Sequence, residues 1–220
     1  MSDPLPITVY SDVICPWCYV GKRRLEAALA SPGMPSKIAF TWRPFELNPD
    51  MPPEGVERKV YRAGKFGEAR SAQLDVQMAS TGRELGIAFA FDRMQRTPNT
   101  RLAHRLIWEA DRQGCQDGVV ERLFHGYFEE GLDIGRTEVL ESIAAEARME
   151  AGGVQRALTG SESLEQVTSL EQQGYRLGIQ GVPFFILLAK YGISGAQPPE
   201  FWREALPKIA NEAAEVQAAG

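Results

Sequence analysis

The 220-residue chain reads as one α/β domain carrying a large, all-helical insertion. Three observations predict this. A β-branched run near the N-terminus passes directly into an amphipathic stretch, apolar strand-like runs return near the C-terminus, and helical periodicity fills the space between. Residues 1–53 and 178–220 are therefore assigned to the sheet-bearing part and residues 54–177 to the insertion.

The first strand is Ile7-Thr8-Val9-Tyr10, and after a Ser11-Asp12 turn Val20, Leu25, Ala28 and Leu29 recur at helical spacing. Cys15-Pro16-Trp17-Cys18 opens that helix. Pro16 suits its first position, where a missing N–H costs no intrahelical bond. Ser31-Pro32-Gly33-Met34-Pro35 breaks the chain, and Ile38, Phe40 and Trp42 then alternate with Ala39, Thr41 and Arg43 as a second strand. Strand, helix, strand predicts a parallel pair with a right-handed crossover. The loop from Arg43 to Pro53 is too rich in proline for a helix or a central strand.

In the insertion, one-face sets mark successive helices: Leu74 with Met78, Leu102 with Leu106 and Ile107, Val120 through Phe128, and Val139 through Ile143. Pro98-Asn99-Thr100 reads as a helix start with Asn99 or Thr100 as the cap. Ile87, Phe89 and Phe91 follow no period and read as loop. The sheet resumes with Phe184 to Leu188, preceded by Gly181-Val182-Pro183 and paired through a short turn with Tyr191 to Ser194 as an antiparallel hairpin. A helix from Pro199 to about Ala218, with Phe201, Trp202, Leu206 and Ile209 inward, closes the chain.

Net charge is -5, from 24 basic and 29 acidic residues, which argues against nucleic acid or an anionic membrane as partner. No apolar run is long enough to span a bilayer. Met1 to Pro6 carries no leader-like pattern, and three cysteines make no disulfide framework, so a cytoplasmic protein is expected.

The chemistry concentrates on Cys15 and Cys18. At a helix N-terminus, free N–H groups and the helix dipole favour an anion, so Cys15 is expected to ionise more easily than a free thiol and act as the nucleophile. Cys18, one turn on, is placed to resolve a mixed disulfide. A structural zinc site would need two more ligands. Cys115, His104 and His125 form no second ligand pair, so no metal is expected. After a strand and opening a helix, the motif reads as a thioredoxin-like redox site. Pro183 cannot donate to a neighbouring strand. Were its peptide bond cis, Val182 would turn toward the space above Cys15, where its backbone can pair with an extended substrate.

Five stretches in order resemble the DsbA family of thiol-disulfide oxidoreductases, and within it the FrnE-like branch. They are Ser11 to Tyr19, Arg43 to Pro49, Asn99 to Arg105, Gly181 to Phe185, and Ser194 to Gln197. The resemblance implies a thioredoxin-like fold, attack by Cys15, resolution by Cys18, and a cis Pro183 that shapes the groove with Val182. It leaves Asn99 and His104 as groove candidates; Pro16 and Trp17, between the cysteines, are expected to bind substrate, Trp17 as an exposed aromatic that can pack against apolar substrate surface. It implies no tightly bound cofactor, disulfide-containing proteins or small-molecule thiols as partners, and glutathione or another thiol as co-substrate. Kappa-class glutathione transferases and 2-hydroxychromene-2-carboxylate isomerases resemble the same fold, with serine in place of Cys15, so a glutathione-dependent isomerase or transferase is the alternative. The insertion leaves open a lid, a client groove or the face of a homodimer.

Two departures from DsbA matter. Pro16-Trp17 stands where DsbA has Pro-His, and Val9 stands where DsbA's first strand has an acid, so a less oxidising couple is expected. Asp12 reads as a cap of the turn, His104 as a hydrogen-bonded, partly buried histidine, and Cys115 as a bystander. Lys22, Arg23 and Arg24 read as the solvent face of the first helix.

Overall fold

The computed structural model describes residues 4–219, with side chains to residue 215; Met1 to Asp3, part of the stretch read for a leader pattern, and Gly220 lie outside the described residues. A four-stranded sheet has the order β2-β1-β5-β6, built from β1 (Leu5–Ser11), β2 (Ile38–Pro44), β5 (Phe184–Leu187) and β6 (Tyr191–Ser194). β1 is parallel to β2, with Val9 opposite Trp42, and antiparallel to β5, with Val9 opposite Phe185. The expected crossover and hairpin are both present. The hairpin turn places Leu188 and Ala189 at φ 53° and 55°, left-handed positions usually advertised by glycine or asparagine.

α1 (Pro16–Leu29) packs beside α9 (Pro199–Ala219), where the fully buried Trp202 meets Phe185 edge-on at 4.9 Å. Between β2 and β5 the chain runs through α2 (Arg58–Phe66), α3 (Glu68–Glu84), α4 (Arg101–Arg112), α5 (Gln116–His125), a π turn (Gly126–Glu130), α6 (Thr137–Glu146), α7 (Ala151–Thr159) and α8 (Ser161–Arg176). This insertion is not wholly helical. Val56–Glu57 (β3) pairs antiparallel with Arg96–Thr97 (β4), a link two residues long that carries no readable alternation. Gly55 makes the pairing possible: at φ +69° a Cβ there would lie 2.6 Å from the Thr97 carbonyl.

The two parts share one apolar core, in which Ile7, Val9 and Trp42 of the sheet join Leu106, Phe124 and Leu140 of the insertion. The insertion also closes an open edge of the sheet. Outermost strand β2 presents unpaired backbone, and the Gln116 amide of α5 accepts from Trp42 N–H at 2.8 Å and donates to its carbonyl at 3.0 Å. Phe40 is only partly buried, so the inward face of β2 rests chiefly on Trp42.

The basic run of α1 is not a solvent face. Lys22 is buried against Glu26, Asp117 and Glu121, Arg23 binds Glu26 and Glu121, and Arg24 donates to the Ala196 carbonyl. Docking of α5 on α1 covers what the isolated helix would expose.

Candidate active site

Cys15 occupies the N-cap of α1 with extended backbone (φ -87°, ψ 110°), and Pro16 is the first helical residue. The turn before it closes when Cys15 N–H donates to the Asp12 carbonyl at 3.0 Å. Cys18 N–H then donates to the Cys15 carbonyl at 3.0 Å, setting the second cysteine one turn into the helix. Both sulfurs are thiols, and both cysteines are buried. Burial pushes the Cys18 thiol well above the usual range, and its hydrogen bond to Cys15 and the charge there push it further. Burial thus favours the protonated form of the Cys18 thiol.

The Val182–Pro183 peptide bond is cis, and the Cys15 thiol donates to the Val182 carbonyl at 3.6 Å. Val182 N–H donates to no backbone carbonyl among the described residues, so this loop keeps a free donor next to the carbonyl that meets Cys15. α1 reaches the loop closely because position 21 is glycine: a Cβ there would be 3.1 Å from Pro183 Cγ. Two strand ends and one helix N-terminus thus meet at Cys15, which the sequence motifs on either side of the insertion anticipate.

The match that decides the family covers residues 6–207 and is to the DSBA-like thioredoxin domain. The chain belongs to that family. Among solved structures, this DsbA-like protein is similar to the probable DsbA oxidoreductase SCO1869 from Streptomyces coelicolor, at 29% identity and TM-score 0.85, over 94% of this chain and 91% of the other. It is 27% identical to the uncharacterized protein YwbO of Bacillus subtilis (strain 168), over 82% of this chain and 86% of YwbO. It shares its fold with a 2-hydroxychromene-2-carboxylate isomerase, at TM-score 0.71 and 14% identity, over 96% of this chain and 98% of that one.

Around the DsbA-like motif, Trp17 is 46% exposed beside the cysteines. A cleft of about 110 Å3 opens next to Ile14 and Pro16, walled by Leu47 and Tyr127 and by Arg58, Arg62, Lys65 and Phe66 on or beside α2. Asp75 pairs with both Arg58 and Arg62, so two of the three cations there share one carboxylate. These α2 residues carry no recognisable motif, and sequence reasoning missed them. A larger cavity of about 390 Å3 lies along Glu57 to Ala63 and touches neither cysteine.

Two of the expected groove residues are elsewhere. The Asn99 amide donates to the Met51 carbonyl at 2.6 Å and accepts from Arg101 N–H at 2.9 Å, which spends it on the start of α4. Thr100 holds the cap position without a side-chain bond. His104 is fully rather than partly buried, and neither it nor Asn99 lines the cleft. Asp12 acts as the expected cap of the turn, accepting from Ile14 N–H, and also from Leu47 N–H at 2.8 Å. No group of three histidine, cysteine or acidic residues is placed to hold a metal among the described residues, and no described helix is long and apolar enough to cross a membrane.

Proposed function

We propose that this protein is a dithiol-disulfide oxidoreductase that exchanges disulfides with protein or low-molecular-weight thiols through Cys15 and Cys18. The observation that carries the reading is the nucleophile's setting: Cys15 caps α1 under the Val182 carbonyl, with Cys18 buried one turn behind it. In the reductive direction the Cys15 thiolate attacks one sulfur of a substrate disulfide, and the other sulfur leaves as a thiolate that takes up a proton. Cys18 then loses its proton and attacks Cys15, the substrate's second thiol departs, and two electrons have passed to the substrate. A further dithiol or two glutathione molecules reduce the enzyme again; the oxidative direction is the same sequence reversed.

The free Val182 N–H supports docking of an extended segment across the site. The cationic cleft beside Pro16 supports thiols bearing carboxylates, glutathione among them. Pro16-Trp17 supplies no cation to hold a thiolate, which supports a couple less oxidising than that of DsbA. A reducing, cytoplasmic setting and the FrnE-like placement belong to the same proposal, the latter resting on the five motif stretches.

Equilibration of the Cys15/Cys18 pair in glutathione buffers, read by mass spectrometry, tests it. A reversible two-electron couple is expected, with Cys15→Ser slowing disulfide exchange at least about a thousandfold. A stable glutathione adduct on Cys15 without an internal disulfide, or a Cys15→Ser variant of full activity, would overturn the reading in favour of a glutathione-dependent isomerase or transferase.

A further inference from the structure

Beneath the catalytic turn lies a buried charge cluster that the exchange steps do not use. Asp12 is fully buried, and it holds the turn three ways: Oδ2 accepts from Leu47 N–H at 2.8 Å, Oδ1 from Ile14 N–H at 3.4 Å, and the main-chain carbonyl from Cys15 N–H at 3.0 Å. One residue thus ties the nucleophile's backbone to the loop after β2. A carboxylate sealed from water needs a counter-charge. His104 of α4 faces it, with Nε2 3.6 Å from Asp12 Oδ1 and no hydrogen-bond partner for that nitrogen among the described residues.

The remaining charged groups come from the other elements packed here. Glu46 on the loop after β2 is bound by Arg101 of α4 through two contacts of 2.8 and 2.9 Å, and Glu171 of α8 accepts from Glu46 N–H at 2.9 Å. Tyr127 of the π turn and Tyr175 of α8 also face the cluster; burial raises both phenols, with Asp12 adding to it and Arg58 opposing it at Tyr127, and Glu171, Glu46 and Asp12 adding to it at Tyr175. Three carboxylates therefore confront one guanidinium, and the imidazole is the group that can supply a second cation. Burial pulls its pKa down, but Asp12, Glu171 and Glu46 together outweigh burial and raise it above the ordinary histidine value.

We propose that His104 is a positioning residue for the Cys15/Cys18 couple: its imidazolium neutralises Asp12, and loss of its proton leaves a bare carboxylate under the turn, which disfavours the Cys15 thiolate. The proposal rests on the exchange reading above. It gives the insertion, through His104 of α4 and then Asp12, a hold on Cys15.

Alkylation of the reduced full-length protein by iodoacetamide, with Cys15 quantified by mass spectrometry from pH 5 to 9, reads the thiolate without any disulfide partner. His104→Gln is expected to slow Cys15 alkylation by about threefold to tenfold below pH 7. The two profiles should converge at high pH, where the wild-type imidazole has itself lost its proton. Adding Asp12→Asn should recover most of the lost rate. A folded His104→Gln protein whose profile superimposes on wild type would overturn the proposal and leave His104 a core residue. Imidazole NMR of the wild-type protein decides the matter even if the variant does not fold, with the His125 signal assigned from a His125→Gln protein. His104 should titrate above the ordinary histidine range and shift between dithiol and disulfide forms; an imidazole neutral throughout overturns the proposal. Absence of a reversible Cys15–Cys18 disulfide would instead defeat the exchange reading, with the alkylation profile still deciding the role of His104.

Discussion

Two charged clusters bolt the insertion to the sheet-bearing half, one between α1 and α5 and one beneath the Asp12–Cys15 turn, and they differ in their access to water. In the first, Lys22 and Arg23 meet Glu121 and Asp117, whose side chains remain 31% and 49% exposed. In the second, the side chains of Asp12 and Glu46 are 0% and 1% exposed. The consequences for the carboxylates are opposite. Burial raises the Glu121 pKa less than Lys22 and Arg23 lower it, so it lies below the ordinary value. Burial and the neighbouring charge of Glu46 hold Glu171 above it, with His104 and Arg101 only partly opposing. Similar groups at a wet edge and in a dry centre thus acquire opposite pH responses.

The largest difference should appear when one partner of each cluster is removed. Arg101→Met leaves Glu46 sealed without its guanidinium and should cost about 2–3 kcal/mol at neutral pH, discounted because Arg101 is itself partly exposed. Adding Glu46→Gln should return much of that loss; urea unfolding of the three variants measures both. Glu121→Gln, at the wet edge, should cost only about 1 kcal/mol in the same experiment.

The pH dependence separates the clusters by sign. Because Glu121 titrates below the ordinary glutamate value, its contribution is present above about pH 4.5 and disappears as pH falls through its folded pKa. His104 titrates above its ordinary value of 6.5, so its contribution is present below that pH and disappears as pH rises through its folded pKa. Glu171 has the same sign in a lower window, losing stability as pH rises from 4.5 through its raised pKa. Thermal unfolding from pH 2 to 9 should therefore show Glu121→Gln flattening only the acid limb and His104→Gln only the alkaline limb. If both variants flatten the same limb, the contrast between the clusters is wrong.

The smallest effect is expected outside both clusters. Cys115, at the N-cap of α5, touches neither the motif nor a charged cluster, and burial pushes its thiol up rather than activating it. Cys115→Ser should change stability by no more than about 0.5 kcal/mol and leave exchange rates unaltered. Loss of exchange activity in that variant would mean the insertion acts on the site by a further route.

Much of the site was legible along the chain because its signals are local. Strand periodicity, a proline at the first helical position and two cysteines one turn apart place Cys15 and Cys18 without reference to any distant residue. The hairpin was equally plain, although Leu188 and Ala189 give no hint of their left-handed turn. Within the insertion α3, α4, α5 and α6 follow from their apolar spacing, α2, α7 and α8 are not singled out, and the two-residue pairing of β3 with β4 is too short to show a period.

What the sequence determined on its own was the family, read from five ordered stretches, the four strands of the main sheet with α1 and α9, and the placing of Cys15 and Cys18 at a helix start, since the elements themselves depend on neighbours within a turn or a strand. Only the tertiary structure decided that Gln116 seals the edge of β2 from 74 residues away, that Lys22 is buried, that the Asn99 amide reaches Met51, and that His104 stands under the Asp12–Cys15 turn. Burial and charge pairing are set by segments distant in sequence. A polar residue looks the same along the chain whether water or a buried carboxylate awaits it.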